Sequence, residues 1–518
     1  MGAVANYRKQ VEQFEAAQPR IVAPVPLKKG RPPIRFRRDF DAAKIDRITG
    51  AQPRPITTGD MELRNSLASM RAVSRELERN NDYAKKYLSM LEIGVIGKDG
   101  FTLQNRARDL SGVLDKKANQ IIEAEWKLFC KKGNCTVDGL MSFLGAKKVV
   151  LRSTARDGET LVRIVRGFKN PWKFALQLLE GDVLDEQLNI SDGPSQNLIK
   201  MGIEYNEWGR PIAYHIREKH PGDYFGSQKS ANTYKRVPAN AIIHVFRPER
   251  PTQGRGIPWM RTAARRMNIL GEYEYAELVA ARIGASKMGF YVPNPEGGAD
   301  IVPDDEDEEG NPIQEAEPGV FEKLPSGYND FKTFMPEHPT GNYGPYTKEV
   351  KRGMSSGLGV AYNGLANDLE GVNFSSLRSG VLEERDNWRE IQNWFIESFV
   401  DQVRAAWLEM LLLTNRTNLP YAKYDKFNAA EWRGRSFDWV DPEKDINADL
   451  AAIRGGLKTR SQVVAERGMD LEDIYEQLEE EEKLAKLYHL NLDMGGTAIK
   501  PGPKENQPEA GGAGGAQE

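Results

Sequence analysis

The sequence predicts an α+β protein of several modules, and three observations carry that prediction. The chain has 518 residues, more than one hydrophobic core normally serves. Residues 377–413 place apolar side chains mainly at steps of three and four, the spacing of one long amphipathic helix. Residues 159–246 instead hold short alternating segments broken by Gly, Pro and Asn, the pattern of strands and hairpins.

Composition narrows the classes. Hydrophobic residues make up 39% and charged residues 28%, enough to fold a soluble chain. No run approaches the roughly 18 apolar residues of a membrane span, and the N-terminus shows no apolar signal region, so no membrane partner is expected. Cys130 and Cys135, spaced C-x4-C, lack the second pair or clustered histidines of a zinc site and read as two ordinary thiols in a reducing compartment. The formal net charge is −3, from 72 basic and 75 acidic side chains. Tight static DNA binding usually presents a net basic face; this balance argues against it and permits local patches.

In chain order, residues 1–60 are a basic, Pro/Arg-rich arm, either solvated or touching nucleic acid or a partner. Helical signals begin near Glu62. Arg64, Arg71, Arg75 and Arg79 share a face expected to meet solvent or a neighbouring subunit, while Leu77, Leu88 and Leu91 pack. Residues 115–155 read as two helices, with apolar steps at Ile121, Ala124, Trp126 and Phe129, then Leu140, Phe143, Val150 and Leu151. Asp157 and Gly158 end the second, and residues 159–166 alternate like a strand. Asp157 and Glu159 could form a catalytic carboxylate pair, but they flank a turn with no His or ligand cluster nearby in sequence, which favours a structural role. Residues 201–205 and 212–216 alternate about a turn at 206–209, a hairpin. His244, on an alternating apolar strand at 241–246, reads as a packed, hydrogen-bonded histidine.

A second long helix is predicted over 258–287, with Arg261, Arg265 and Arg266 near its start. Residues 288–342 are rich in Pro and Gly. Their acidic run, Asp304, Asp305, Glu306, Asp307, Glu308 and Glu309, reads as a solvated loop; the spacing of a calcium loop is absent. A helix bearing Lys348, Lys351 and Arg352 returns at 343–352. Next comes a Gly-flanked loop containing Leu365, Asn367, Asp368, Glu370 and Asn373. It stands at the head of the long helix, which Asn373 or Ser375 can cap and Asn415 can end. That helix should span roughly 55–60 Å. The glycines should leave the loop mobile, and loops on rigid scaffolds often carry function; the plainer alternative is a surface loop leading into a core helix. Residues 418–424 and 436–440 suggest turns and a short strand, 441–492 a helical tail, and 493–518 a disordered end.

Catalytic signatures are poor. The phosphate loop G-x4-G-K-[ST] and H-E-x-x-H are absent. Residues 353–357 match G-x-S-x-G, yet a charged helical stretch precedes them where a nucleophile elbow needs a buried strand. No enzyme activity, cofactor or metal is expected.

The segment GVAYNGLANDLEGVNFSSLRSGVLEERDNWR, beginning at Gly359, resembles the hallmark of the lambda-like family of bacteriophage portal proteins. Its parts are Gly-hydrophobic-x-Tyr, Leu-x-x-Asp-Leu, Asn-aromatic-Ser-Ser-x-Arg and a long helix. Arg75, Leu77, Arg79, Asn80, Asn81, Tyr83 and Ala84 are similar to the family's opening helix, and Asp157, Gly158 and Glu159 match its Asp-Gly-Glu. The resemblance spans roughly residues 60–490. It implies a portal fold: an α/β wing (61–257), a long-helix stem (258–287 and 343–357), a small clip (288–342), a tunnel loop (358–373), a long helix with a wing return (374–440) and a helical crown (441–492). It further implies a homo-oligomeric ring of about twelve subunits around a tunnel for double-stranded DNA. Partners would be the terminase large subunit, major capsid and scaffold proteins and a head-tail adaptor, in the virion and, during assembly, the host cytoplasm. On this reading the six stem cations are candidate DNA-facing residues, the loop residues line the tunnel, and the acidic run docks partners. A metal-dependent DNA-processing enzyme and a DNA-binding adaptor using the basic arm stay open as alternatives.

Overall fold

Thr58 opens the described chain by capping its first helix, its hydroxyl accepting from the Met61 amide. The computed structural model describes residues 57–191, 197–222, 233–286, 289–293, 305–306, 312–313, 328–333, 341–370, 373–435, 437, 442–466 and 471–488. The basic arm before residue 57 and the tail after 488 lie outside them.

Three helices come first: α1 (Gly59–Arg64), α2 (Leu67–Asn80) and α3 (Asp82–Leu91). Asn81 separates the last two. It is extended, and its side chain accepts from the amides of Tyr83 and Ala84, both at 3.1 Å, which caps α3. Leu77, Leu88 and Leu91 are buried as their spacing predicts. Strand β1 (Thr102–Asn105) leads to α4 (Lys116–Phe129), capped by Asp115, and α5 (Phe143–Asp157), capped by Ser142. In α4 the buried positions are Ala118, Asn119, Ile122, Trp126 and Phe129, while Ala124 is exposed. The predicted stripe is thus displaced by one residue at its start. Leu140, expected in the second helix, precedes α5 and is exposed. Gly158 ends α5 at φ +91°, and a Cβ there would stand 2.6 Å from the backbone of Ile257. Only glycine satisfies both the backbone angle and the close approach.

Two antiparallel sheets follow. The first has order β3-β2-β8, with β2 (Glu159–Arg166) central between β3 (Phe174–Glu180) and β8 (Ile242–Phe246). The second runs in sequence order through β4 (Leu198–Lys200), β5 (Ile203–Tyr205), β6 (Pro211–Arg217) and β7 (Tyr234–Pro238). Its β5–β6 hairpin is the one the alternation predicts.

Helix α6 (Ala264–Ser286) starts after a 3-10 turn at Trp259–Thr262. Within the Pro/Gly-rich stretch, β9 (Gly289–Pro293) pairs with β12 (Tyr328–Thr333), and β10 (Asp305–Glu306) with β11 (Pro312–Ile313). Asp305 and Glu306 therefore form a short ladder rather than an unstructured loop; Asp304, Asp307, Glu308 and Glu309 lie outside the described residues. Helices α7 (Tyr343–Leu358) and α8 (Tyr362–Ala366) come next, then α9 (Phe374–Phe395). A π turn at Ile396–Val400 joins α9 to α10 (Asp401–Leu413) without a break. Gln402 Nε2 donates to the carbonyls of Glu397 and Ser398 beside that wide turn. The result is one helical rod of roughly 60 Å, ended at Thr414 with Asn415 left-handed at φ +50°.

That rod is the spine of the main core. Trp388, Ile391, Phe395, Phe399, Val403, Trp407 and Leu411 are all buried on it. Trp407 meets Trp126 edge-on with ring centres 4.9 Å apart, and Phe399 lies 5.9 Å from Phe143. Each aromatic contact adds about 0.5–1.5 kcal/mol beyond the area it buries. Past α11 (Tyr424–Phe427), the returning strand is β13 (Ala430–Arg433), paired with β1. It stands earlier than the strand expected at 436–440, where Phe437 is unstranded and the other residues lie outside the description. The tail forms α12 (Pro442–Arg454), α13 (Arg460–Glu466) and α14 (Leu471–Leu487).

The arginine face of α2 departs furthest from its expectation. Arg71 is only 1% exposed and Arg75 is half-buried; both turn inward, although Arg79 does stand in solvent. Their partners come from distant segments. Arg71 donates to Glu159 at 2.6 Å and to Glu186 at 2.8 Å, and Arg75 donates to Asp157 at 2.8 Å and Asp182 at 2.5 Å.

Candidate functional site

The loop residues and the cations of α7 converge on one small cluster. Helix α7 ends because Gly359 adopts the left-handed conformation, φ +69°, and its amide returns to the carbonyls of Ser355 and Ser356. Asn387, on the long rod, donates to the Gly359 carbonyl at 2.9 Å. Glu384, one turn earlier on the rod, accepts from the Ala361 amide at 3.1 Å. Burial pushes the Glu384 carboxyl upward, and the Ala361 amide opposes that only in part. The loop is thus stitched to the head of the spine before α8 begins.

Helix α8 places Leu365 at 2% exposure in the main core. This corrects its assignment as an exposed loop residue. Leu369, four residues on, is the apolar side chain that stands outside, at 65% exposure. Asn367 is exposed and left-handed, φ +52°, and its side chain accepts from Lys86 at 3.0 Å. Asp368 Oδ2 accepts from the Tyr362 hydroxyl at 2.6 Å and pairs with Lys348 at 3.1 Å, while Oδ1 takes the Glu370 amide at 3.0 Å. Those bonds, Tyr362 foremost and Lys348 next, hold the Asp368 carboxyl down at about 2. Glu370 and Asn373 are exposed.

Two glycines of this region have packing roles. Gly364 sits in α8 with Met90 against it, and Gly353 lies where the Arg266 guanidinium crosses α7, 2.4 Å from where a Cβ would be. These glycines permit close packing. Ser355, the centre of the G-x-S-x-G match, lies within α7 and donates to the Lys351 carbonyl at 3.0 Å. A nucleophile elbow's strand-turn-helix is not formed there.

Most of the candidate cations already have partners. Lys348 pairs with Asp368. Lys351 pairs with Glu274 of α6 at 3.3 Å and lies over the Tyr83 ring. Arg352 pairs with Glu349 at 2.5 Å and stacks over Tyr362. Arg261 takes both oxygens of Glu249 at 2.7 Å. Arg265 and Arg266 are exposed and make no ion pair among the described residues. Across α6 and α7, Tyr273 packs on Tyr343 and Tyr346 at 5.8 and 5.6 Å. The surface therefore carries cations whose charge is largely balanced at short range.

The second candidate, Asp157 with Glu159, is saturated. Glu159 accepts from Arg255, Arg71, His244 and the Gly256 amide, all within 3.0 Å. A histidine is thus close in space though distant in sequence, and His244 is packed and hydrogen-bonded as expected. Burial alone would raise the Glu159 carboxyl; Arg255 and Arg71 overcome it and hold the group well below the usual carboxylate range. Asp157 is filled by Arg75 and Arg156. With both carboxylates occupied by guanidinium groups, neither has a lone pair directed at a metal or a substrate proton. Cys130 and Cys135 are free thiols, pushed up by burial to about 12 and about 11.

Sequence reasoning missed Glu384, Asn387, Tyr362, Lys86 and Leu369. One signal was present: Glu384 follows Val381 by three residues and precedes Trp388 by four, a charge where that spacing calls for an apolar side chain.

Comparison with known proteins finds a family model described as "Phage portal protein, lambda family" matching residues 46–392. A probable portal protein of Halomonas phage phiHAP-1 is 37% identical over 466 residues, covering 88% of each chain. Portal protein B of Escherichia phage lambda is 22% identical over 463 residues, covering 82% of this chain and 85% of its own. Among solved structures, a chain from the neck of an empty GTA particle aligns with a TM-score of 0.43 at 12% identity, covering 78% of this chain and 93% of its own.

Proposed function

Because the chain belongs to the lambda family of phage portal proteins, we propose that it assembles as a ring of about twelve copies at one capsid vertex, the conduit by which double-stranded DNA is packaged and later ejected. The observation that carries this reading is the clamp of residues 359–370 between α7 and the head of the long rod. A conduit wall needs a stiff base and a surface that meets phosphate without holding it. The rod and its aromatic core supply the first. Near-balanced pairs such as Lys348 with Asp368 supply the second, since affinity for DNA scales with the number of phosphates neutralised.

On this reading α6 and α7 form the stem, the two β-sheets with α2 to α5 the wing, the β9–β12 region the clip, and α12 to α14 the crown. Asn367, Asp368, Glu370 and Asn373, with Leu369 in place of Leu365, line the tunnel. Arg265 and Arg266 face the passage. The run from Asp304 to Glu309 docks the terminase large subunit and afterwards a head-tail adaptor. The outer wing meets the major capsid and scaffold proteins.

Negative-stain imaging and light scattering of the purified full chain test this directly. Closed rings with a mass near twelve times 58.2 kDa are expected. A folded chain that stays monomeric at micromolar concentration removes the proposal. The clip assignment has its own test. Replacing the six acids with Ser should leave the fold intact and weaken terminase docking in a salt-dependent way; docking unchanged across salt concentrations would reduce the run to a solubility role.

A further inference from the structure

One cleft on α2 has the chemistry to receive a tryptophan. Met70 and Val73 of α2 form one wall and Pro258, Met260 and Ala264 the other, enclosing about 170 Å³. An apolar cavity of about 150 Å³ is enough to hold benzene, so this one accommodates a flat aromatic group. Its lining contains one anomaly. Ser74 is 2% exposed, yet its hydroxyl has no hydrogen-bond partner among the described residues. A buried polar group left unpaired is destabilising, so a ligand that pairs it gains affinity. A ligand that fits this cleft should be apolar over most of its surface and bring one donor to Ser74 Oγ. Arg261 stands at the edge of the cleft, its guanidinium already held by Glu249.

The same chain presents such a group elsewhere. Trp208, at the tip of the β5–β6 hairpin, is 79% exposed. The tip is held rigidly. Asn206 Oδ1 accepts from the amides of Trp208 and Arg210 at 3.0 and 2.8 Å, and the Gly209 amide returns to the Asn206 carbonyl at 3.0 Å. A pre-formed turn loses little freedom on binding, and a rigid tryptophan seated in a pocket is the commonest kind of interface hot spot.

We propose that Trp208 of one copy of this chain inserts into the cleft between Met70, Val73 and Met260 of the next, its indole N–H donating to Ser74 Oγ. The proposal rests on the ring assembly argued above and supplies one of its contacts. A knob on one element and a socket on another make a head-to-tail interface, the kind that closes into a ring.

The test places p-benzoyl-phenylalanine at position 208 of the full chain and irradiates the assembled protein. Covalent dimers should form, with the peptide around 208 joined to the peptide carrying Met70 or Met260. Rings whose crosslinks map elsewhere overturn this contact while leaving the ring standing; a chain that never forms rings overturns both. Trp208→Ala should retain its circular dichroism spectrum and raise the assembly midpoint concentration roughly 30-fold. Val73→Trp, which fills the socket from within, should do the same. An unchanged midpoint in both variants would show that the cleft stays empty in the ring.

Discussion

Two carboxylates, Glu159 and Asp368, are each surrounded by positive groups, and they behave as opposites. Glu159 is fully buried, ringed by two arginines, a histidine and a backbone amide from three separate segments. Asp368 lies at the surface, bound by a tyrosine, a lysine and its own loop. In the first case water cannot replace a lost partner; in the second it can. The difference teaches that the same ion-pair chemistry serves to fix a core in one place and to balance charge in another. Burial decides which.

The sharpest way to break the comparison is Arg255→Ala. Removing one partner of a buried pair leaves an uncompensated charge and should cost about 3–5 kcal/mol. Urea denaturation of the subunit measures it, and a loss under about 1 kcal/mol would mean that water enters the site. Next comes the pair of leucines. Leu365→Ala should cost about 2–5 kcal/mol as a cavity in the core, whereas Leu369→Ala should cost under about 0.5 kcal/mol. Equal losses would contradict the placement of α8. A loop deletion meant to preserve the fold should accordingly begin after Ala366.

Lys147 sharpens the contrast from a third side, as a buried cation facing the rings of Phe101 and Phe143. Burial lowers it to about 8, against about 10.4 when unfolded. Between those values the unfolded chain binds more protons, so the wild type gains stability as pH rises. Lys147→Met should therefore be more stable at pH 7, by up to about 3 kcal/mol, with the gap closing towards pH 10. A gap that is constant with pH would show that the amine keeps its ordinary proton affinity in the folded chain and carries no burial penalty.

The smallest effect belongs to Asp368→Asn. At the surface, solvent screening leaves the pair almost nothing to contribute to stability. Its depressed carboxyl gives stability that is present above about pH 4 and lost as pH falls towards about 2, so thermal melts of wild type and variant should run parallel from pH 5 to 8. DNA retention in assembled heads should still change, because Lys348 is released. Normal retention would remove Asp368 from the tunnel surface.

The sequence by itself determined the helices and most strands, because periodicity of 3.6 or 2 is a local property. The rod from Phe374 to Leu413, strand β2 and the β5–β6 hairpin all follow from it. It also determined the family, through the ordered motif beginning at Gly359. Only the tertiary structure decided which faces are buried. The spacing of Arg71 and Arg75 put them on one side of α2 without saying that Glu159, Asp157 and Asp182 wait there. Leu365 and Leu369 are the same residue four positions apart, and a core contact made by one alone separates them. Glu159 gathers partners 88, 96 and 85 residues away. No local pattern encodes such a meeting, because the free energy of a buried charge depends on what packs around it.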